Sequence, residues 1–429
     1  MLSEEFRPDP SKINKVIAAP QFREHQSALV SFMARSREQR ADAEGLLQLQ
    51  AEMANQLISL QDSLREFRRR IDAGDPDPDV RRGADVCAGL AHVIKQIADG
   101  VAWRSLGYDR GSIRELAAAH QTGHMDTQTA ISEMTAAAIH VVESGDLVIL
   151  NDLTNFLRYG DLTIVSPDSV SIREVKAGKA SARSRRARRQ KARIEEVAQF
   201  IRTGERSIGQ GKQRLLYLAT PPAAHVRSLT PLIAEARAKG SAHARLSDAL
   251  AVEVFSMELM AERGPPDAKT IHNPFSRSRH SIVVHNLEWF GRFAPNLAPY
   301  SVFPLRDADC VALMTGELWL SVYFNIGNFV RCLRRRGLDV RLPDEREVAG
   351  APQNLRPGEI SEHELDYPIE VTDRRKIILL SFAQLGRMEV ELLDEECFAN
   401  AVVELLATTP ADEESLYTWS FKGEQALWD

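Results

Sequence analysis

Two acidic residues and a lysine stand on neighbouring strand-like segments near the middle of the chain. Asp161 lies near the start of residues 160–165, and Glu174 and Lys176 lie in residues 171–176. Both segments are rich in β-branched residues, and the Ser-Pro-Asp-Ser sequence between them favours a turn. Glu174 and Lys176 are two residues apart, so in a strand they project from the same face. Two carboxylates and an ammonium at one end of a sheet are costly to desolvate, and a divalent metal ion would compensate that cost.

These residue types are suited to hydrolysis of a phosphate ester. Mg²⁺ prefers hard oxygen ligands and keeps several water molecules, so two carboxylates and a phosphate form a natural ligand set. The ion polarises the phosphate and activates a bound water, and an ammonium stabilises the developing negative charge. We therefore expect Mg²⁺ as cofactor, with Mn²⁺ as a substitute. The alternative is that the three residues form only a cross-strand salt bridge on a solvated sheet face.

A strongly basic stretch follows directly. Residues 173–193 contain ten Lys or Arg and one Glu, which gives a local charge of +9. Because the whole chain carries −6, the remainder carries −15. An acidic protein with one concentrated basic stretch beside paired carboxylates indicates a polyanionic partner. The residues expected to contact nucleic acid are Lys179, Arg183, Arg185, Arg186, Arg188, Arg189, Lys191 and Arg193.

The order of these features resembles the PD-(D/E)xK restriction-endonuclease-like superfamily. A strand carboxylate is followed thirteen residues later by Glu174-Val175-Lys176, with a helix before and a helix and a strand after, over about residues 126–220. The resemblance implies a small mixed sheet between helices and metal-dependent phosphodiester hydrolysis. It also implies that Asp161 and Glu174 bind the metal and that Lys176 assists the attacking water. Glu174-Val175-Lys176 is the only ExK triplet in the chain, whereas the better letter match at residues 266–269 lies in a proline-rich loop.

Two further residues enter through the same resemblance. The family often places another acidic residue in the helix before the first strand, which makes Glu133 a third candidate metal ligand. It often places a Gln or Lys on the helix after the strands, which makes Gln190 a candidate catalytic residue. A solvated helix charge explains Glu133 equally well, and capping or solvation explains Gln190.

The remaining pattern predicts a mixed α+β fold with three regions. Residues 1–122 form a helical region, residues 123–262 a restriction-endonuclease-like core sheet flanked by helices, and residues 263–429 an additional mixed α/β region. Apolar residues repeat at 3-4-3-4 spacing over residues 57–71, and this spacing suits either a helical hairpin or a short dimeric coiled coil. We also expect a helix over residues 246–260 and a strand over residues 388–392.

Composition excludes several other classes of protein. The chain has no apolar run of eighteen residues and no signal-peptide pattern, so we expect a cytoplasmic protein without a membrane partner. The four cysteines show no CxxC spacing, and no P-loop is present, so an ATP-dependent step would need a partner protein.

The function expected from the sequence is a DNA endonuclease, with DNA favoured over RNA, in a setting such as bacterial restriction or antiviral defence. The alternative is a catalytically silent nucleic-acid-binding or scaffold subunit that retains the fold. An assembly subunit that self-associates through its coiled coil is a third, weaker alternative.

Overall fold

The structure is a computed structural model of the 429-residue chain. It describes residues 20–117, 128–157, 159–167, 169–175, 185–208, 211–263, 274–275, 281–286, 297–342, 369–373, 376–409 and 415–429.

The described residues form twelve α-helices and thirteen strands. The helices are α1 Pro20–Glu38, α2 Ala43–Asp72, α3 Pro78–Ser105, α4 Arg110–Ala117, α5 Gln128–Val142, α6 Arg185–Thr203, α7 Leu229–Lys239, α8 Met257–Arg263, α9 Asp307–Thr315, α10 Ile326–Arg335, α11 Phe382–Val390 and α12 Glu395–Thr408. The strands are β1 Leu147–Leu150, β2 Leu162–Ser166, β3 Ser169–Arg173, β4 Glu205–Ile208, β5 Gly211–Leu218, β6 Ser241–Arg245, β7 Leu250–Ser256, β8 Ser281–His285, β9 Leu318–Asn325, β10 Asp339–Arg341, β11 Ile369–Asp373, β12 Lys376–Leu380 and β13 Ser415–Phe421. A mixed α+β fold is thereby confirmed.

The long helices α2 and α3 pair as an intramolecular hairpin. Asp42 caps the start of α2 by accepting a hydrogen bond from the Gly45 N–H at 3.0 Å. Near the turn, the Phe67 ring packs so closely on Gly83 that a Cβ there would lie 2.5 Å from it. The apolar stripe of α2, which includes Leu57 and Leu60, is buried within the molecule's own core. Of the two arrangements open from the sequence, the chain adopts the hairpin.

Strands β1, β2 and β3 form an antiparallel three-stranded sheet next to this hairpin. The free edge of β1 is closed by a side chain of α2. The Gln50 amide donates to the Val148 carbonyl and accepts from the Leu150 N–H, both at 2.8 Å. A buried Gln thus replaces the missing neighbouring strand and satisfies backbone groups that would otherwise be unpaired.

Two sheets combine strands from both sides of the predicted division at residue 262. Strand β5 pairs with β4 and, in parallel, with β13 at the end of the chain. Strand β7 pairs with β6 and β9 in the four-stranded sheet ordered β6-β7-β9-β8. The strands therefore do not separate at that position. Moreover, β5, the strand after the basic helix, lies in a different sheet from β1 to β3.

Two predicted elements are wrong. Residues 246–260 are not one helix, because β7 occupies Leu250–Ser256 and is buried along its whole length between β6 and β9. Residues 388–392 are not a strand, because α11 extends to Val390. A capping box of Ser381 and Gln384 starts that helix. For β7, pairing with strands distant in sequence outweighs the local residue pattern, and for α11 a local cap does so.

The hydrophobic core is continuous from Leu29 to Trp428 and includes side chains from all three predicted regions. Within the protein interior lies a network of four buried charges. Arg110 contacts Glu391 at 2.8 Å and Glu424 at 2.5 Å, and Arg387 contacts Glu391 at 3.1 Å and Glu424 at 2.7 Å. The network joins α4 to α11 and to the last turn of the chain.

Candidate metal and nucleic-acid site

Asp161 and Glu174 stand at one end of the β2–β3 hairpin, each one residue beyond the last paired residues, Leu162 and Arg173. The Asp161 N–H donates to the Arg173 carbonyl at 2.9 Å, a bond one residue out of step with the hairpin register, so regular pairing stops at this point. Both side chains are half-buried. The two predicted carboxylates thus lie at the same end of the hairpin.

The strands themselves are shorter at this end than predicted. β2 begins at Leu162, one residue after Asp161, and β3 ends at Arg173, one residue before Glu174. Both carboxylates therefore stand where the regular ladder ends.

The Asp161 carboxylate is held by the backbone of the opposing segment. Its Oδ2 accepts a hydrogen bond from the Val175 N–H at 2.5 Å. The Asp161 carbonyl accepts from the Asn151 N–H at 3.0 Å, and the Asn151 amide donates to the Tyr159 carbonyl at 2.6 Å. Asp161 therefore has a defined position relative to the residue that follows Glu174.

Gly160 makes this geometry accessible to the backbone. Its φ is +62°, in the left-handed region that only glycine adopts at low cost. A Cβ there would lie 2.9 Å from the Arg173 carbonyl oxygen and 2.7 Å from the Ile172 side chain. Neither Asn151 nor Gly160 was among the candidate site residues selected from the sequence. The structure shows that both position Asp161, and a glycine directly before a candidate site aspartate was the available signal.

The turn before Asp161 is anchored to the helical hairpin. Asp99 of α3 is buried and accepts hydrogen bonds from the Asn155 N–H and from the Asn155 side-chain amide, each at 2.7 Å. The segment that leads to the site is therefore fixed to the long helices rather than suspended in solvent.

The other predicted site residues are less fully described. Lys176 lies outside the described residues, as do Lys179 and Arg183. The backbone of Gln190 is in helix α6, but its side chain is outside the described part of the structure. Glu133 is on α5 with an exposed side chain, and it does not join Asp161 and Glu174 in any compact three-ligand group within the described residues.

Helix α6 carries the basic stretch and lies against the candidate site. It packs on β3, the strand that leads to Glu174. The Arg193 side chain donates from Nε to the Tyr159 hydroxyl at 3.3 Å, and its guanidinium lies 6.0 Å from the centre of the Tyr159 ring. Tyr159 precedes Asp161 by two residues, so this contact ties the basic helix to the acidic hairpin end. The side chains of the remaining predicted contacts on this helix are outside the described part: Arg185, Arg186, Arg188, Arg189 and Lys191.

A compact group of His225, Asp394 and Glu395 lies elsewhere in the molecule. His225 Nε2 is 3.1 Å from Asp394 Oδ2, and the bond to His225 holds the pKa of the Asp394 carboxyl below its usual value. Each carboxylate also has a structural task. Asp394 caps helix α12 through the Cys397 N–H, and Glu395 accepts from the Ser247 hydroxyl and the Ala249 N–H. These contacts account for the group without a ligand.

Among the helices that the structure describes, none combines the length and the apolar character needed to cross a membrane. The comparisons with protein-family models, with curated proteins and with solved structures found no match to this chain.

Proposed function

We propose that this protein is a metal-dependent nuclease that hydrolyses phosphodiester bonds in nucleic acid, DNA in preference to RNA. The observation that carries the proposal is the position of Asp161 and Glu174, each one residue beyond the paired part of β2 and β3 at the same hairpin end, with the basic helix α6 packed on β3. Carboxylates brought close together there would repel each other, and a bound cation would relieve that repulsion.

The donor set fits Mg²⁺. This ion is commonly bound by one or two carboxylates together with water and substrate phosphate, and Asp161 and Glu174 would supply the carboxylate oxygens. When bound, the ion would polarise the scissile phosphate and lower the pKa of a water molecule. Lys176 follows Glu174 by two residues and would stabilise negative charge on the phosphate.

The basic helix α6 would hold the nucleic acid. Guanidinium groups recognise phosphates with two parallel hydrogen bonds, and the sequence of α6 places many of them within three turns. The contact of Arg193 with Tyr159, two residues before Asp161, brings the middle of that helix close to the hairpin end. Binding through such contacts is strongly salt-dependent.

A second candidate function is a catalytically silent nucleic-acid-binding subunit. The observation that favours it is the hydrogen bond from the Val175 N–H to Asp161, which gives this carboxylate a structural task that needs no metal. Under this alternative, the basic helix binds nucleic acid and the carboxylates only shape the hairpin end.

Cleavage of plasmid and linear DNA distinguishes the two functions. We expect wild type to cut with Mg²⁺ or Mn²⁺ and not with EDTA, and Glu174→Gln to lower the rate at least about 100-fold, equivalent to about 2.7 kcal/mol of barrier. Asp161→Asn should lower the rate similarly. Its amide oxygen can still accept a hydrogen bond from the Val175 N–H, so this substitution removes the charge and keeps the structure of the hairpin end. Glu66→Gln, an exposed carboxylate of α2 paired with Arg69, is the matched control.

Lys176→Met tests the lysine separately and should lower the rate without preventing DNA binding. The nuclease proposal fails if Glu174→Gln cuts as fast as Glu66→Gln, or if wild type cuts neither DNA nor RNA. DNA binding that survives in all of these variants without any cutting would support the silent binding subunit.

A further inference from the structure

A second basic surface lies on helix α10, in the C-terminal region. An open groove of about 560 Å³ is lined by Asp248, Asn328, Arg331, Arg334 and Arg335. The three arginine side chains are exposed, while the opposite face of the helix, with Phe329 and Leu333, is fully buried. The helix is therefore fixed by its apolar face and presents guanidinium groups on the other.

Among the described residues, the charges at this groove do not balance. Arg245 pairs with Asp248 at 3.0 Å, and Arg335 pairs with Glu396 at 2.9 Å. Glu396 also contacts Arg336. These contacts and the groove lining together contain five guanidinium groups and two carboxylates, which leaves a net charge of +3.

Stabilisation of the helix explains only part of this arrangement. Cations in the last turn complement the helix dipole, and Arg334 donates to the Val340 carbonyl at 2.7 Å. However, Arg331 and Arg335 are four residues apart on one face, where like charges repel. Within the described part of the chain, the Arg331 side chain donates to the neutral Asn328, and this contact does not offset the repulsion.

The chemistry of the lining selects the kind of ligand. The five side chains that line the groove in the described part of the chain are all polar or charged, whereas protein–protein interfaces usually have an apolar centre. Exposed arginines in a concave surface match phosphate oxygens, which they bind in a bidentate manner. We propose that this groove is a second contact surface for the phosphate backbone of double-stranded DNA, separate from the basic helix α6; the proposal rests on the proposed function for the identity of the polyanion.

Binding of a fluorescent DNA duplex tests the groove without any need for cleavage. All proteins carry Glu174→Gln and are measured in EDTA by fluorescence anisotropy over a range of salt concentrations. Replacing Arg331, Arg334 and Arg335 together with Ala should weaken binding at least about tenfold and reduce the slope of log K against log salt by roughly 2 to 3.

Three further proteins complete the experiment. Arg65→Ala/Arg68→Ala/Arg69→Ala removes the same charge from exposed positions of α2 and should change affinity less than about threefold. The double variant Arg331→Ala/Arg335→Ala keeps the Arg334 hydrogen bond to Val340 and should lower the slope of log K against log salt by up to about 2. This variant provides the test if the triple variant does not fold. Replacement of all three groove arginines with Lys should retain most of the salt dependence, because the charges remain.

The groove proposal is overturned if the groove variants bind with the affinity and slope of the α2 control, or if the Glu174→Gln protein binds no duplex. The groove proposal is also overturned if the groove variants leave the slope for DNA unchanged and the groove binds an acidic peptide more tightly than DNA. That result would assign the groove to a protein partner. The nuclease proposal is judged separately by cleavage: loss of binding in the groove variants with no cutting by wild type would refute the nuclease and support the groove.

Discussion

At the scale of single residues, Asp161 fixes the hairpin end and, under the proposed function, also binds the metal. One of its oxygens accepts a hydrogen bond from the Val175 N–H, and the residue stands at the same hairpin end as Glu174. A carboxylate oxygen has two lone pairs, so a backbone hydrogen bond and a metal bond are compatible on one group. We therefore interpret the hydrogen bond as preorganisation of a metal ligand.

Glu389 is a buried carboxyl whose ionisation should destabilise the protein. It is 4% exposed, and its Oε1 has no hydrogen-bond partner in the described structure. Burial raises the pKa of Glu389 to about 8. Since the folded-state pKa lies above the unfolded value, the stabilisation is complete below about pH 4.5 and is lost as the pH rises towards 8.

Glu389→Gln should remove this pH dependence, because Gln mimics the neutral acid. In urea unfolding at pH 5 and pH 7.5, we expect wild type to lose stability relative to Glu389→Gln by up to about 1.4 kcal/mol per pH unit as the pH rises. Glu66→Gln, at an exposed position of α2, corrects for the loss of one carboxylate. A difference between wild type and Glu389→Gln that stays constant with pH would show that Glu389 is not held neutral.

At the scale of the elements, the β2–β3 hairpin depends on Gly160. We expect Gly160→Ala to destabilise the fold by more than the roughly 1–2 kcal/mol that a positive φ costs, because the added Cβ also meets the Arg173 carbonyl. Gly145→Ala is the matched control, since Gly145 has φ +87° but no atom within 4 Å of the added Cβ. Equal thermal shifts for the two variants would contradict the role of the close contact. If Asp161 is positioned as we infer, Gly160→Ala also loses cleavage activity.

The sequence was sufficient for elements whose signal is local. Helix α6 lies where a helix is expected after the two strands. The β2–β3 pair was predicted from β-branched runs on either side of a turn. In contrast, β7 was predicted as part of a helix, because its pairing with β6 and β9 depends on residues up to 74 positions away, as the pairing of Leu250 with Phe324 shows. The clamp of Gln50 on β1 likewise joins residues about 100 apart, and no local pattern announces it.

At the scale of the whole molecule, the buried charge network links helix α4 to the C-terminal part of the chain. Burial opposes ionisation of Glu424, but the charges of Arg110 and Arg387 outweigh it and hold the pKa of Glu424 well below its usual value. Removing one partner of such a network leaves a buried charge uncompensated, at a cost of about 3–5 kcal/mol. We expect Arg110→Ala to show a loss of this size in chemical unfolding.

Arg40→Ala is the matched control, because Arg40 also joins the helical region to the C-terminus, through an exposed contact with Asp429 at 2.9 Å. Exposed pairs contribute about 0–1 kcal/mol. Because the core and two of the sheets cross the predicted regional boundaries, calorimetry of wild type should show one cooperative transition. Three separate transitions, or equal losses for Arg40→Ala and Arg110→Ala, would contradict this description.

Asp161, Glu174 and the basic helix could be selected as candidates from the sequence, because all of these lie within about 30 residues and follow a local pattern. The roles of Asn151, Gly160 and Asp99 could not be predicted from the sequence, because they depend on hydrogen bonds between separate elements. The proposed nuclease function rests on the position of helix α6 beside the hairpin end that carries Asp161 and Glu174.

The most direct test of this account is the location of a bound metal in a crystal grown with Mn²⁺ and examined by anomalous scattering. We predict one ion bound by oxygens of both Asp161 and Glu174 at about 2.1–2.2 Å, close to the distance for Mg²⁺. The same crystal form of Glu174→Gln should lose that peak. A wild-type crystal without an ion between these two carboxylates, while Asp161 keeps its bond to the Val175 N–H, would contradict the central claim.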